Sequence, residues 1–181
     1  MERAKIVDIV KNILTECNIY QAPIPVVEIA EKYGFVVVEK FLTNDESGYM
    51  VLCNEGIDIQ GKKLTKIIVV NSVENPYRKR FTIAHELGHY FLEYKDKEHD
   101  LSGNIVVHRD NTFNSNNREK EDDADMFAGE LLMPTDILEN ELKKLKQIDL
   151  LFSSIPEAIA RKFAVSYSAA AKRFGIFKRR K

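Results

Sequence analysis

The sequence lacks the features that mark secreted, membrane-spanning and metal-thiolate proteins. No apolar run approaches the ~18 residues that are needed to cross a bilayer. The N-terminal stretch MERAKIVDIVKNILTE alternates charged and apolar residues, where a signal peptide would be continuously apolar. The two cysteines, Cys17 and Cys53, lie far apart and outside any CxxC or Cys–His spacing. We therefore expect a cytoplasmic protein with reduced thiols and no membrane partner.

An excess of charge of either sign is also missing. Lys and Arg total 27 residues against 28 for Asp and Glu, which gives no reason to expect a surface for nucleic acid or anionic lipid. The basic ending KRFGIFKRRK is a local exception that we interpret as a solvated tail. The stretch IPEAIARKFAVSYSAAAKRFGIF has the look of a helix-turn-helix, but its apolar spacing fits a packed helix pair equally well. Direct nucleic-acid binding is not expected.

The apolar pattern that is present predicts one α+β domain over residues 1–181. Helices are predicted at about 2–17, from Pro25 to a cap at Gly34, from Pro76 to Glu93, from Arg118 to Met133, from Pro134, and after caps at Ser154 and Ser166. FVVVEKF, GYMVL and KIIVVN predict a small three-stranded sheet with antiparallel pairing, and CNEGIDIQGKK a long turn. NIVVH adds a possible short strand within the polar connection 95–117.

This pattern divides the predicted domain into three parts. Residues 1–34 form N-terminal helices, 35–134 a sheet packed with a helical core, and 135–181 C-terminal helices.

The strongest functional signal is the HExxH pattern within RFTIAHELGHYFLEY. On a helix His85 and His89 project from the same face, so that both imidazoles can bind one ion. Imidazole suits zinc, and a catalytic zinc site typically has three protein ligands and an open position for water. Glu86, one position round from His85, is placed to accept a proton from that water.

The third ligand decides which class of zinc site this is. The metzincin pattern requires a glycine and a histidine where this chain has Leu92 and Lys95, so that class is excluded. A glutamate from a second helix is the other common solution. In REKEDDADMFAGELLMP, Glu121 and Asp125 lie four residues apart on one helical face. Glu121 can complete the metal ligands, and Asp125 can accept the second ring N–H of a zinc-binding histidine.

Three neighbouring carboxylates remain candidates for the same ligand position. Asp122 and Asp123 lie off the face of Glu121, and aspartate reaches less far than glutamate. Glu119 lies nearly opposite, in the first turn of the helix, where the helix dipole by itself accounts for an acidic residue. Glu121 is therefore favoured over the other three.

Two further histidines lie in the polar connection. His99 or His108 could stabilise the oxyanion of a peptide-hydrolysing transition state. A surface position accounts for each of them more simply, so neither is assigned to the site.

With these segments in view, the chain resembles the ImmA/IrrE family of metallo-endopeptidases. The similar features are RFTIAHELGH and the acidic ExxAD segment that runs into FAGELLMP, within a region of likeness from Ile24 to Pro134. The resemblance implies a gluzincin-like Zn²⁺ site with His85, His89 and Glu121 as ligands and Glu86 as general base. The long polar insert between the two motifs departs from the family pattern.

The resemblance also implies a substrate class. Members are associated with cleavage of helix-turn-helix repressors that control mobile elements or stress responses. We therefore expect a zinc endopeptidase that acts on a DNA-binding repressor protein. The alternative is a non-catalytic regulator, or a toxin-like protein, that uses the zinc fold to bind a partner. Glu86 favours the enzyme, because a purely structural metal site needs no base.

Overall fold

The computed structural model describes residues 1–43, 46–59, 61–96, 104–108, 115–147 and 154–178. Of residues 104–108, 115–117, 146–147 and 176–178 it describes the backbone alone. The architecture is α+β, as predicted, and the chain divides into two compact units. One unit comprises Met1–Ile24 with Gly129–Lys181, and the other comprises Pro25–Ala128. The expectation of a single domain over the whole chain stays a prediction. Over the described ranges, every helix is too short or too polar to span a bilayer.

The Pro25–Ala128 unit is built on a sheet with strand order β1-β3-β2-β4. The strands are β1 (Val36–Lys40), β2 (Gly48–Ile59), β3 (Lys62–Asn71) and β4 (Asn104–His108). All three predicted strands are present, and NIVVH adds the fourth at one edge. β2 pairs antiparallel with both β3 and β4.

The antiparallel prediction is wrong for β1, which pairs parallel with β3. Chain direction still alternates from β1 to β2 to β3, but β1 lies beside β3 instead of beside β2. β3 is buried on both faces over Ile67–Val70, and a continuous apolar run of this kind is typical of a central strand. The apolar run in KIIVVN was therefore a signal for a central strand, with a neighbouring strand on each side.

The predicted long turn after GYMVL is also wrong, because β2 continues through it to Ile59. Pairing with β3 shifts between Leu52 and Ile57, where Gly56 has φ +74°. A glycine with positive φ inside a strand marks a bulge. The actual turn lies at Gly61, whose N–H donates to Oδ1 of Asp58 at 3.0 Å.

Two helices of this unit have one terminus each that the sequence predicts. α2 (Val26–Lys32) is followed by Gly34, where φ is +85°, and the N–H of Phe35 donates to the carbonyl of Ala30 at 3.0 Å. This bond closes the last turn, as is common at a glycine-capped helix end. α3 (Pro76–His89) begins at Asn75, whose side chain accepts from the N–H of Arg78 at 3.0 Å.

The end of the predicted Pro76–Glu93 helix differs from an ordinary α-helix. After His89 the chain forms a π-helical turn over Tyr90–Tyr94. Turns of this type occur frequently at functional sites. α3 itself packs against β2 and β3.

The Met1–Ile24 and Gly129–Lys181 unit is helical in its described part. It contains α1 (Arg3–Glu16), the end of α4 (Ser115–Leu132), α5 (Thr135–Gln147), α6 (Ile155–Phe163) and α7 (Tyr167–Lys178). Ser166 caps α7 as predicted, accepting from the N–H of Ala169 at 3.2 Å. The Ser154 cap does not form a side-chain hydrogen bond.

A buried ion pair joins α7 to the end of α4 within this unit. Nη2 of Arg173 lies 2.6 Å from Oε2 of Glu130 and donates to the carbonyl of Met133 at 2.9 Å. Glu130 also accepts from the N–H and the hydroxyl of Thr135, both at 2.7 Å. Arg173 is therefore committed to packing, and the interpretation of KRFGIFKRRK as a solvated tail is wrong for this residue.

The close contact of α3 with α4 depends on Gly88. A Cβ at Gly88 would lie 3.1 Å from Cα and 3.2 Å from the carbonyl oxygen of Ala124, and 3.2 Å from Cδ1 of Phe127. Ala124 and Phe127 are fully buried, so neither can move aside cheaply. The two helices therefore pack so closely that the position of Gly88 has room for a hydrogen atom but not for a methyl group.

We expect Gly88→Ala to destabilise the protein, although alanine is the better helix former. The gain in helix propensity is about 1 kcal/mol and overpacking a full core costs about 1–3 kcal/mol, so the net loss should be about 1 kcal/mol. Gly129→Ala in α4 is the matched control, because nothing lies within 4 Å of its Cβ position. It should raise the free energy of unfolding by roughly 0.5–1 kcal/mol. Urea denaturation measures both, and an equal gain in both variants would contradict the tight contact.

Candidate metal centre

The two histidines of HExxH lie side by side on the last turns of α3. Their Nε2 atoms are 3.0 Å apart, because residues four apart on a helix project from the same face. His85 is 1% exposed and His89 is 3% exposed. Both rings are therefore held by packing in one orientation.

Glu121 of α4 lies against both of these nitrogens. Its Oε2 is 3.1 Å from Nε2 of His85, and its Oε1 is 3.2 Å from Nε2 of His89. The ligand atoms of the three residues lie within 4.8 Å of one another. In a tetrahedral zinc site with bonds of about 2.0–2.1 Å, neighbouring ligand atoms are about 3.3 Å apart. The donor types and their spacing thus fit a zinc ion.

The electrostatics of the group favour positive charge at its centre. Burial works against protonation of His89, but its contacts with Glu121 and Glu93 and the charge of Glu86 outweigh burial and raise its pKa to about 9. Burial likewise opposes ionisation of Glu121, yet the two imidazoles hold the pKa of this carboxyl well below its usual range. The same negative charges that favour a proton on His89 would stabilise a divalent cation bound there.

Each histidine has a carboxylate on its other ring nitrogen. Oδ1 of Asp125 lies 2.9 Å from Nδ1 of His85, so the structure places Asp125 against one of the two histidines. Oε1 of Glu93 lies 2.8 Å from Nδ1 of His89. Because an ionised carboxylate only accepts hydrogen bonds, Nδ1 of each ring donates to its carboxylate, and Nε2 would be the ligand atom when a metal is bound.

Glu93 was missed by our reasoning from the sequence. The signal was available, since Glu93 follows His89 by four residues and so shares its helical face. Its second oxygen forms an ion pair with Lys120, the residue before Glu121. Burial raises the pKa of Glu93, but the contacts with His89 and Lys120 outweigh burial and lower it overall.

Glu86 is 1% exposed and lies on α3 next to His85. Its negative charge contributes to the raised pKa of His89, so the carboxylate of Glu86 interacts electrostatically with the candidate metal centre. A buried carboxylate of this kind interacts strongly with neighbouring charges, because little water screens it.

The remaining candidates stand outside this group. Glu119 and Asp122 are exposed and Asp123 is half-buried on α4, and among the described side chains the group that can hold a metal takes Glu121 from this run. His99 lies outside the described residues. For His108 the backbone pairs with Tyr49, and its side chain is not described.

Comparison with known proteins gives one family match and a match in fold. The family model Peptidase_M78, "IrrE N-terminal-like domain", matches residues 30–174. No significant match is found among curated proteins. The fold is similar to that of a solved structure, a "Mycobacterium tuberculosis transcriptional regulator", with a TM-score of 0.61 and 16% sequence identity. The match covers 94% of this chain and 46% of that chain, so this chain spans less than half the length of that protein.

The family match covers most of the chain and contains both helices of the candidate metal centre. The resemblance to the ImmA/IrrE family is thereby confirmed. The chain belongs to the Peptidase_M78 family, the IrrE N-terminal-like domain.

Proposed function

We propose that the protein is a zinc-dependent endopeptidase that cleaves a protein substrate. The observation that carries this proposal is the convergence of His85, His89 and Glu121 on one position, with the buried Glu86 beside them. The group supplies three protein donors, which is the number typical of catalytic zinc sites, whereas structural sites have four. Membership in a metallopeptidase family supports the same conclusion.

In this proposal each residue has a distinct task. His85, His89 and Glu121 would hold the ion, and Asp125 would keep the His85 ring oriented through its Nδ1 proton. A zinc ion bound there would supply a Lewis acid that polarises the scissile carbonyl and acidifies the attacking water. Glu86 accepts the proton of that water and passes it to the leaving amine.

Burial helps Glu86 to perform this task. At 1% exposure the carboxylate is surrounded by protein, so packing restricts the movement of its charge. A base that is held in place before the reaction needs no reorganisation when the proton moves. The position of Glu86 next to His85 on the same helix follows directly from the HExxH spacing.

We further propose that the substrate is a helix-turn-helix transcriptional repressor in the cytoplasm. Two observations support this. The solved structure of similar fold is described as a transcriptional regulator, which associates this fold with control of transcription. Cys17 and Cys53 are thiols rather than a disulfide, in keeping with a reducing compartment.

The first test concerns the ligand set. We expect one zinc per chain in the wild-type protein and a large loss of zinc from Glu121→Ala, because two histidines alone leave the ion with too few protein donors. Asp122→Ala is the matched control, since it removes an exposed carboxylate from the next position of α4. Elemental analysis of the purified proteins measures the ratio of zinc to chain. Full zinc occupancy in Glu121→Ala would remove this residue from the ligand set.

The second test concerns Asp125. Asp125→Asn should fold as wild type but should bind zinc or turn over substrate about 10–100-fold less well, because the neutral amide stabilises the Nδ1 proton of His85 less strongly. Chelator competition gives the zinc affinity, and a thermal melt checks the fold. Wild-type values in both affinity and turnover would show that Asp125 is not needed to support the site.

The third test separates an enzyme from a binding protein. Glu86→Gln keeps the size and polarity of the side chain but cannot accept the proton, so cleavage should fall by about 10²–10⁴-fold. Zinc content and thermal stability should be retained, and uncleaved substrate should remain bound. Glu31→Gln, an exposed change on α2, is the control. The readout is cleavage of a co-expressed helix-turn-helix repressor.

Two outcomes of this third test would contradict the proposal. Equal cleavage by wild type and Glu86→Gln would show that Glu86 is not the base. If the wild type regulates its partner without cutting it, the non-catalytic regulator is the better description.

A further inference from the structure

The two histidines of the metal group differ in how their outer carboxylates are held. Asp125, which contacts His85, has a side chain that is 55% exposed. Glu93, which contacts His89, is 16% exposed and comes from the π-helical turn Tyr90–Tyr94. Water can compete for an exposed carboxylate more easily than for a buried one. The contact of Glu93 is therefore the better protected of the two.

The turn that carries Glu93 is anchored by aromatic packing. Tyr90 and Phe91 are buried, and the ring of Phe91 stacks on Phe127 of α4 at 5.7 Å. The hydroxyl of Tyr90 accepts a hydrogen bond from Nζ of Lys66 at 3.0 Å. These contacts hold the segment immediately after His89, so Glu93 is presented from a fixed backbone.

Lys120 holds the other end of the Glu93 carboxylate. Its Nζ forms an ion pair with Oε2 of Glu93, while Oε1 faces Nδ1 of His89. Lys120 precedes Glu121 on α4, so one side chain of α4 orients the carboxylate that contacts His89 while the next one contacts Nε2 of the same ring. The imidazole of His89 is thus contacted at both nitrogens. Glu121 of α4 contacts Nε2 directly, and Lys120 of α4 orients the carboxylate that contacts Nδ1.

We propose that Glu93, held by Lys120, positions the imidazole of His89 for metal binding. Glu93 is a positioning residue, since it acts through His89 and does not reach the metal. It keeps the proton on Nδ1 and turns Nε2 towards the ion. The inference rests on the proposed function only for the presence of a metal at this site.

A simpler alternative is a surface ion pair that does nothing for the site. Lys120 is 55% exposed, and exposed pairs of this kind contribute little to stability. The two accounts differ in what they predict for His89. A surface pair leaves its ring and the zinc affinity unchanged when it is removed, whereas a positioning carboxylate does not.

Zinc affinity of the full chain, measured by chelator competition, is the first readout. Glu93→Ala should bind zinc about 10–100-fold more weakly than wild type, and Glu31→Ala, an exposed glutamate of α2, should be unchanged. Lys120→Met should weaken binding less than Glu93→Ala does. Combined with Glu93→Ala it should add nothing, since Lys120 acts only through that carboxylate.

The second readout is the Nδ1 proton of His89, followed by NMR in the metal-free protein. It should exchange slowly with water in wild type and in Glu93→Gln, which keeps an acceptor oxygen, and rapidly in Glu93→Ala. This measurement does not require zinc or cleavage. If wild type binds no zinc, the proposed function fails while the positioning of His89 can still be assessed from its exchange rate.

Three results would overturn the inference. One is a zinc affinity of Glu93→Ala equal to that of Glu31→Ala. Another is an Nδ1 proton of His89 that exchanges equally fast with and without Glu93. An additive effect of Lys120→Met and Glu93→Ala would show that Lys120 does not act through Glu93. Should Glu93→Ala fail to fold, Glu93→Gln carries the test: its neutral amide should weaken zinc binding, and a zinc affinity equal to that of Glu31→Gln would overturn the inference.

Discussion

The candidate metal centre depends on the close approach of α3 to α4 at Gly88. The absence of a side chain there lets the backbone of Ala124 come so close to α3 that a Cβ at Gly88 would lie 3.1 Å from Cα of Ala124. Glu121 lies one turn before Ala124 on α4, so its carboxylate reaches His85 and His89 only because the helices touch at this point. Stacking of Phe91 on Phe127 extends the same contact. A wider spacing would leave the two histidines as an incomplete pair of ligands.

This packing concentrates negative charge around two imidazoles. Glu86, Glu93 and Glu121 all act on His89, whose pKa rises to about 9 despite its burial. Such an arrangement is costly for a protein that needs only to fold, because each buried charge must lose its hydration. A divalent cation at the centre would offset this cost, because it balances the charge of the carboxylates and fixes both imidazole rings. Functional sites commonly carry a stability cost of this kind, because the groups that function requires are not the ones that stabilise the fold best.

Most of the individual elements could be predicted from local sequence. The helix termini at Asn75, Gly34 and Ser166 follow from residues that cap through their own side chain or backbone freedom. The errors arose where a local signal had two meanings. The segment interpreted as a long turn contains Gly56 and forms a bulge within β2, and β1 pairs with β3 instead of β2. Glu93 was overlooked because an acidic residue after a histidine is usually a solvated one.

The sequence by itself determined the chemistry of the centre: two imidazoles and an adjacent carboxylate on one helical face, and a second acidic helix able to supply another ligand. These features follow from the period of the helix, which places residues four apart together wherever the helix lies. It also determined the family, through motifs that need no coordinates. Only the tertiary structure decided that Glu121, among four neighbouring carboxylates, meets both histidines, and that Lys120 meets the carboxylate of Glu93. These contacts link residues about 27 to 36 positions apart in the chain, and their formation depends on the packing of α3 against α4, which no local pattern encodes.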